Sequence, residues 1–328
     1  MTEEVKRRRG TEGMNKPVTT TDLGDATPRG PRIALFVEDG AGDWHARRLR
    51  KAMEARGARV VTTTLSACAF DTSSPCGMDI PGFDGLLPDG VFVRSVSTGT
   101  LEQITFRLGI LHALRESGVR VWNDARSIER CVDKSTATFL FQKAGLPTPP
   151  TRVVETRTRA HAHLDADPRP FVLKPLFGSQ GNGVRRAHSA DELPPPEDVG
   201  HVYYMQHYIR APDATLFEDW RVFVCAGRVL SAMVRRGKTW ITNVHQGAEP
   251  VAHDPCDDMS RLSLAAAAVV GADYAGVDLI RDQSGRLMVL EINSNPAWKG
   301  LQSVSATDIA DTLAADFLAA VTQAPVPS

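Results

Sequence analysis

The sequence predicts an α/β unit followed by a larger α+β region, and three observations carry that expectation. Short apolar runs alternate with helix-period segments between residues 31 and 127. A proline cluster, Leu146-Pro147-Thr148-Pro149-Pro150, then breaks the rhythm. Beyond it come mostly short strand-like runs, with few helical stretches between them.

Residues 1–30 are polar, rich in Gly and Thr and free of hydrophobic periodicity, and they read as a flexible tail. The apolar run at residues 32–37 suits a buried strand. A helix from Trp44 to about Arg56, stopped by Gly57, leads to a second strand at residues 58–61. Residues 91–94 are the next strand. Leu101, Ile104, Leu108 and Leu111 then place one apolar stripe on a helix that stops at Gly118, and residues 119–122 return to the sheet. This order implies a largely parallel sheet over residues 31–127. A short helix at residues 134–143 ends at Gly145. Residues 128–328 form the second domain, with a central subdomain at about 146–210 holding strands at 171–174, 183–187 and 202–206. Its C-terminal part has strands at 220–225, 229–234, 276–280 and 287–293. An Ala-rich helix covers about residues 258–270, and a last helix presents Ile309, Leu313, Phe317 and Leu318.

Composition narrows the class. With 38 Lys+Arg against 39 Asp+Glu in 328 residues, the net charge of -1 offers no global field for nucleic acid or an anionic membrane. The five cysteines (Cys68, Cys76, Cys131, Cys225, Cys256) include no C-x-x-C pair, which argues against a disulfide framework or zinc site and for a reducing, cytoplasmic setting. Lys6-Arg7-Arg8-Arg9 is followed by no apolar segment, and no run of 18 apolar residues suggests a membrane span. Neither nucleic acid nor a membrane is expected as a partner, and a homo-oligomer is compatible with this composition.

Three constellations carry chemistry. Residues 276–280 and 287–293 flank the turn Asp282-Gln283-Ser284-Gly285 and read as a hairpin. Counting Arg281 opposite Arg286 sets Asp278 facing Val289 and diagonal to Glu291, with Asn293 on the same side. The other side, Val277, Leu279, Met288, Leu290 and Ile292, is apolar and suited to a core. Two carboxylates and an amide on one face fit either a magnesium site or an ordinary solvated sheet face. The second constellation, Gly178-Ser179-Gln180-Gly181-Asn182-Gly183, follows a strand that ends in Lys174. It is neither a Walker loop nor a dinucleotide fingerprint, and fits a mobile phosphate lid or a surface turn. Arg221, Arg235 and Arg236 with Asn243 form the third, as cationic clamps or as exposed charges. Arg94, at a strand end, is a further candidate grip for a substrate carboxylate.

The order of these landmarks resembles the ATP-grasp superfamily, in its RimK-type branch of α-L-glutamate ligases, from about Asp133 to the last helix. The ending Asn293-Ser294-Asn295-Pro296-Ala297-Trp298-Lys299-Gly300-Leu301-Gln302 is similar to that of the tetrahydromethanopterin glutamate-ligase-like subgroup, with Ala297 at a position usually Gly. The resemblance implies an ATP-grasp fold behind an N-terminal pre-grasp domain at residues 31–127. For the nucleotide it implies Lys134 and Lys174, the lid Gly178, Ser179, Gln180, Gly181 and Gly183, and the hinge Gln206, His207, Tyr208 and Ile209, together with Asp219 and Asn243. His207 stands where the family usually has Glu, at a contact made by main chain. Asp278, Glu291 and Asn293 match the ligands of Mg2+, with Mn2+ as the alternative ion, and Arg221 and Arg236 match the catalytic cations. The implied reaction is ATP-dependent carboxylate–amine ligation through an acyl phosphate, adding L-glutamate to a small-molecule acceptor such as a tetrahydromethanopterin-type C1 carrier. A ligase modifying protein or peptide C-termini and a non-catalytic ATP-binding protein are the alternatives.

Overall fold

The computed structural model describes residues 30–38, 42–178, 181–209 and 216–323. The expected tail lies outside these except for Gly30, as do Ser179 and Gln180 of the expected lid. The first sheet has the order β2 (Arg59–Thr63), β1 (Arg32–Phe36), β5 (Gly90–Val93), β6 (Arg120–Trp122), and all its pairs are parallel, as expected. β3 (Ala69–Phe70) and β4 (Met78–Asp79) form a separate two-stranded hairpin. The unbroken apolar runs of β1 and β5 suit strands covered on both faces.

Helix α1 (Trp44–Ala55) starts where the Asp43 carboxylate accepts the His45 N–H, and α2 (Leu101–Glu116) starts at a reciprocal capping box between Thr100 and Gln103. The buried face of α2 keeps only the C-terminal part of the expected stripe, Leu111 with Leu108 packed beside it. Leu101 is 78% exposed in the first turn, and Arg107, Ile110 and Leu114 join Leu111 on the buried face. Helices α3 (Ala125–Val132) and α4 (Lys134–Lys143) follow, capped by Asp124 and Asp133.

Beyond the proline cluster, a four-stranded antiparallel sheet has the order β7 (Thr151–Val154), β10 (Tyr203–His207), β8 (Phe171–Lys174), β9 (Arg185–Ala187). Helix α5 (Arg157–Ala166) closes its small core with Ala160 and Leu164. The third sheet is antiparallel throughout, in the order β13 (Glu249–His253), β12 (Arg228–Gly237), β11 (Phe217–Cys225), β14 (Tyr274–Arg281), β15 (Leu287–Asn293). Strand alternation gives this sheet two unlike faces. The outer one packs Val222, Val224, Val277, Leu279, Val289 and Ile292 against α6 (Asp257–Val270) and Phe141 of α4. On the inner one, Phe223, Cys225, Met233 and Tyr274 join Trp298, Leu301 of α7 (Lys299–Gln302) and Leu313 and Phe317 of α8 (Ile309–Thr322). The same core takes in Ile33, Leu35, Leu49 and Phe92, so it runs continuously into the parallel sheet. Burial of each such large side chain contributes about 1.5–3 kcal/mol.

A buried amide pins the two sheets together. Asn123 Nδ2 donates to the Tyr274 and Ser294 carbonyls at 2.8 and 2.6 Å, while its Oδ1 accepts the Asp273 and Tyr274 N–H groups at 2.7 and 3.2 Å. All its hydrogen-bonding capacity is used. No helix among the described residues is long and apolar enough to cross a membrane.

The β14–β15 register corrects the expected one. Arg281 faces Leu287 rather than Arg286, and a bulge between Asp278 and Leu279 lets Asp278 face Glu291 directly rather than Val289. The extra residue also resets the faces. Val289 enters the core in place of Met288 and Leu290, and Leu290 turns to the cavity beside Glu291.

Candidate active site

A cavity opens between the four-stranded and five-stranded antiparallel sheets. Val172, Val184, Ile209, Ile241, Ile280 and Leu290 give it apolar walls, and Lys134, Lys174, Asp219, Arg235, Asp278 and Glu291 give it a polar end. Such a division suits a ligand with a flat apolar part and a charged tail.

The polar end is the upper part of the inner sheet face, where the alternation that buries Phe223 and Tyr274 brings charged residues to the same side. Arg221 and Asp278 are direct partners across β11–β14. Arg221 donates from Nε to Asp278 Oδ1 and from Nη2 to Oδ2, the latter at 2.7 Å. Arg235 donates to both oxygens of Asp219 at 2.7 and 2.5 Å and to Asp278 Oδ2 at 2.9 Å. These bidentate pairs make a buried row of alternating charge. Burial pushes the Asp278 carboxyl up, but the two guanidinium groups outweigh it and hold the group well below the usual carboxylate range.

Two lysines face this row. Lys174 ends β8 as a buried ammonium donating to Gln206 Oε1 at 2.7 Å; burial draws its pKa down against the pull of Glu291. Lys134, at the start of α4, donates to the carbonyls of Gly178 and Leu176 at 2.8 and 3.3 Å and is likewise lowered by burial, with Glu291 opposing. Lys134, Lys174, Arg221 and Arg235 set four positive charges against three carboxylates, Asp219, Asp278 and Glu291. One surplus charge favours an anion yet falls short of neutralising a triphosphate, a balance that a divalent ion would complete. The side chains fit one. Asp278, Glu291 and Asn293 share the inner face and all carry hard oxygens; those of Asp278 also accept from Arg221 and Arg235, and Asn293 turns Nδ2 toward Glu291 Oε1 at 3.4 Å, so that Oδ1 would be its ligating atom.

Most sequence-predicted residues converge here. Gly178, Gly181, Gln206, His207, Tyr208, Ile209, Asp219 and Asn243 line the cavity with the lysines and both carboxylates. Gly181 has φ +75°, and a Cβ there would stand 2.7 Å from Asn243 Oδ1 and 2.9 Å from Ile241 Cγ2, so only glycine lets the loop approach so closely. Gly183 lies outside the lining and packs near Pro175. The His207 imidazole points away from the cavity walls toward Asp167 Oδ2 at 3.2 Å and the Phe171 ring, which leaves main chain at the hinge. Arg221 and Asn293 adjoin the cavity through Asp278 and Glu291.

Arg236 is the exception. It is exposed and donates to Glu218 Oε1 at 2.7 Å on the opposite side of β12, while Arg235 faces the site. Neighbouring residues of a strand point to opposite faces, and the pairing of Asp219 with Arg235 fixes which one enters. Trp240 and Thr242 also line the cavity. The sequence carried no periodic signal for them, because the segment after β12 is irregular.

A parallel sheet beside two antiparallel ones, with lysines and carboxylates meeting between the latter, matches the ATP-grasp class of ligases. The chain belongs to the RimK-like ATP-grasp family, whose domain model matches residues 131–317. It is 35% identical over 228 residues to the tetrahydromethanopterin:α-L-glutamate ligase of Methanococcus maripaludis, covering 68% of this chain and 76% of that protein. The corresponding ligase of Methanocaldococcus jannaschii is 34% identical over 235 residues, covering 69% and 77%. Among solved structures, the ATP-grasp ligase PsnB complexed with minimal precursor has the same fold, with a TM-score of 0.68 at 19% identity, covering 90% of this chain and 100% of that one. The protein is an ATP-dependent ligase.

Proposed function

We propose that this ligase joins L-glutamate to a carboxylate of a small-molecule acceptor of the tetrahydromethanopterin type. The acceptor follows the names of the two methanogen relatives, and the reaction follows the site. The observation that carries it is the direct pairing of Asp278 with Glu291 opposite two lysines, Lys174 buried and Lys134 half-buried.

An acceptor carboxylate oxygen attacks the γ-phosphorus of ATP, ADP leaves, and an acyl phosphate forms. The glutamate amine then adds to the acyl carbon, loses a proton, and expels phosphate as the amide forms. A free carboxylate is a poor acylating group, so phosphorylation supplies the leaving group. The chain contributes position and charge rather than a nucleophile of its own. Lys134 and Lys174 hold the phosphates on the side nearer the hinge, and the loop at Gly178 and Gly181 closes over them. The main chain of residues 206–209 lies against the base. Arg221 carries the cationic role at the transferring phosphoryl group, and Arg235 supports it by fixing Asp278. Asp278, Glu291 and Asn293 would hold Mg2+, or Mn2+ in its place, which would offset the phosphate charge.

The test uses the full-length chain with ATP, Mg2+, L-glutamate and tetrahydromethanopterin. ADP release is expected only with the acceptor present, along with a product one glutamyl residue heavier, and Glu291→Ala is expected to abolish both. Unchanged turnover in that variant removes the metal assignment. Glutamyl additions found on proteins, with none on the small molecule, replace the acceptor.

A further inference from the structure

We propose that Arg94 forms a second carboxylate subsite, which grips a carboxylate of the substrate pair other than the one being activated. The proposal rests on the ligase reading above and adds to it a preference for dicarboxylate substrates.

Arg94 follows β5, and its N–H donates to the Phe36 carbonyl at 2.8 Å, so its backbone is fixed by the parallel sheet. The residue is 8% exposed, and the Tyr274 hydroxyl and the Asp43 carboxylate are polar groups beside its guanidinium. Nη1 reaches the Pro296 carbonyl only at 3.4 Å, and Nε, fully buried, has no hydrogen-bond partner among the described residues. The Trp298 ring lies under the guanidinium at 4.8 Å, holding its plane without meeting its N–H groups. Arginine carries five donors in a rigid fork, and leaving the buried Nε unpaired is costly.

The neighbouring acid does not meet that need. Asp43 Oδ2 stands 3.7 Å from Arg94 Nε, close enough to balance charge and too far to bond. Its other oxygen is committed to His45. His45 Nε2 accepts the Trp298 N–H at 3.1 Å, so the ring proton lies on Nδ1 and is donated to Asp43 Oδ1 at 2.9 Å. Asp43 also caps α1 through the His45 N–H at 2.9 Å. It is a brace for the helix start, and a planar carboxylate is the ligand that fits the unfilled fork.

The position of the fork matters. Pro296, which Arg94 touches, lies three residues beyond Asn293. A Cβ on Gly276 would meet Pro296 Cβ at 2.9 Å and Arg221 Cδ at 3.0 Å, so Arg221 flanks the same proline. One guanidinium sits on Asp278 and the other stands across Pro296 from it. A substrate whose reacting group lies beside Arg221 thus has a second binding cation on the parallel-sheet side. The carboxylate that fills it comes from the acceptor or from L-glutamate.

Calorimetric titration of the full-length protein, with ADP and Mg2+ present, separates these sources by using L-glutamate in one arm and tetrahydromethanopterin in the other. Arg94→Gln is expected to weaken one of them at least tenfold and leave ADP affinity within twofold. Arg94→Lys, which keeps the charge and loses the fork, is expected to fall between, and it carries the test if the Gln variant does not fold. Binding of neither compound to the unmutated protein overturns the proposal, as does equal binding to it and to the folded variants. Acceptor-dependent ADP release by the unmutated protein is read in parallel. Its absence beside a clear Arg94 effect on binding counts against the ligase reading and leaves the subsite standing.

Discussion

On the inner face of the five-stranded sheet, β11, β12 and β14 carry two successive kinds of residue. Toward α8 they present Phe223, Cys225, Met233 and Tyr274, which pack into the shared core. Toward the small sheet the same strands present Asp219, Arg221, Arg235 and Asp278, equally buried and joined by bidentate bonds. Both ends obey one alternation and both exclude water. They differ in what burial does. The apolar end gains from leaving water, whereas ionic pairs recover at best about what desolvation costs them. A charged row maintained at that cost points to chemistry, and the contrast can be attacked from either end.

The largest effect is expected from Asp278→Ala. It strands Arg221, leaves Arg235 with Asp219 alone, and removes a proposed metal ligand. Loss of about 3–5 kcal/mol in urea unfolding is expected, together with loss of acceptor-dependent ADP release. A stability change near zero would mean that both guanidinium groups find water, and that the row is not closed. Phe223→Ala ranks next and strikes only the other end: about 3–5 kcal/mol of stability, with ATP affinity of the folded protein within twofold. A marked drop in affinity there would show the two ends to be one unit. The smallest effect belongs to Arg236→Ala, expected within about 0.5 kcal/mol and without change in the KM for ATP. An activity loss from it would return Arg236 to the site and undo the assignment of Arg235.

Much of this arrangement is legible in the chain itself. The parallel sheet follows from unbroken apolar runs between helix-period segments, and Lys174 is marked by its place at the end of such a run. The likeness of Asp278, Glu291 and Asn293 to a metal-binding set rests on residue type and spacing. What the sequence hides is parity. Adjacent arginines at 235 and 236 look alike until a partner strand decides which one turns inward, and that depends on Asp219 across the ladder. The bulge beside Asp278 is hidden for a similar reason, since counting back from the turn assumes an unbroken ladder. The unanticipated elements are weakly patterned. Helix α5 buries only Ala160 and Leu164, and β13 carries Pro250, acceptable at a sheet edge but a poor strand signal.

The fully satisfied amide of Asn123 has a mechanical consequence. Sliding the parallel sheet against β14 would sever four bonds at one side chain and bare a carboxamide to a dry interior. That seam behaves as a weld. The other boundary, where the chain enters the small sheet through Pro147, Pro149 and Pro150, is joined instead by separate contacts, Lys134 to the Leu176 and Gly178 carbonyls, Thr138 to Tyr204, and Arg186 and Tyr208 to the Trp240 ring.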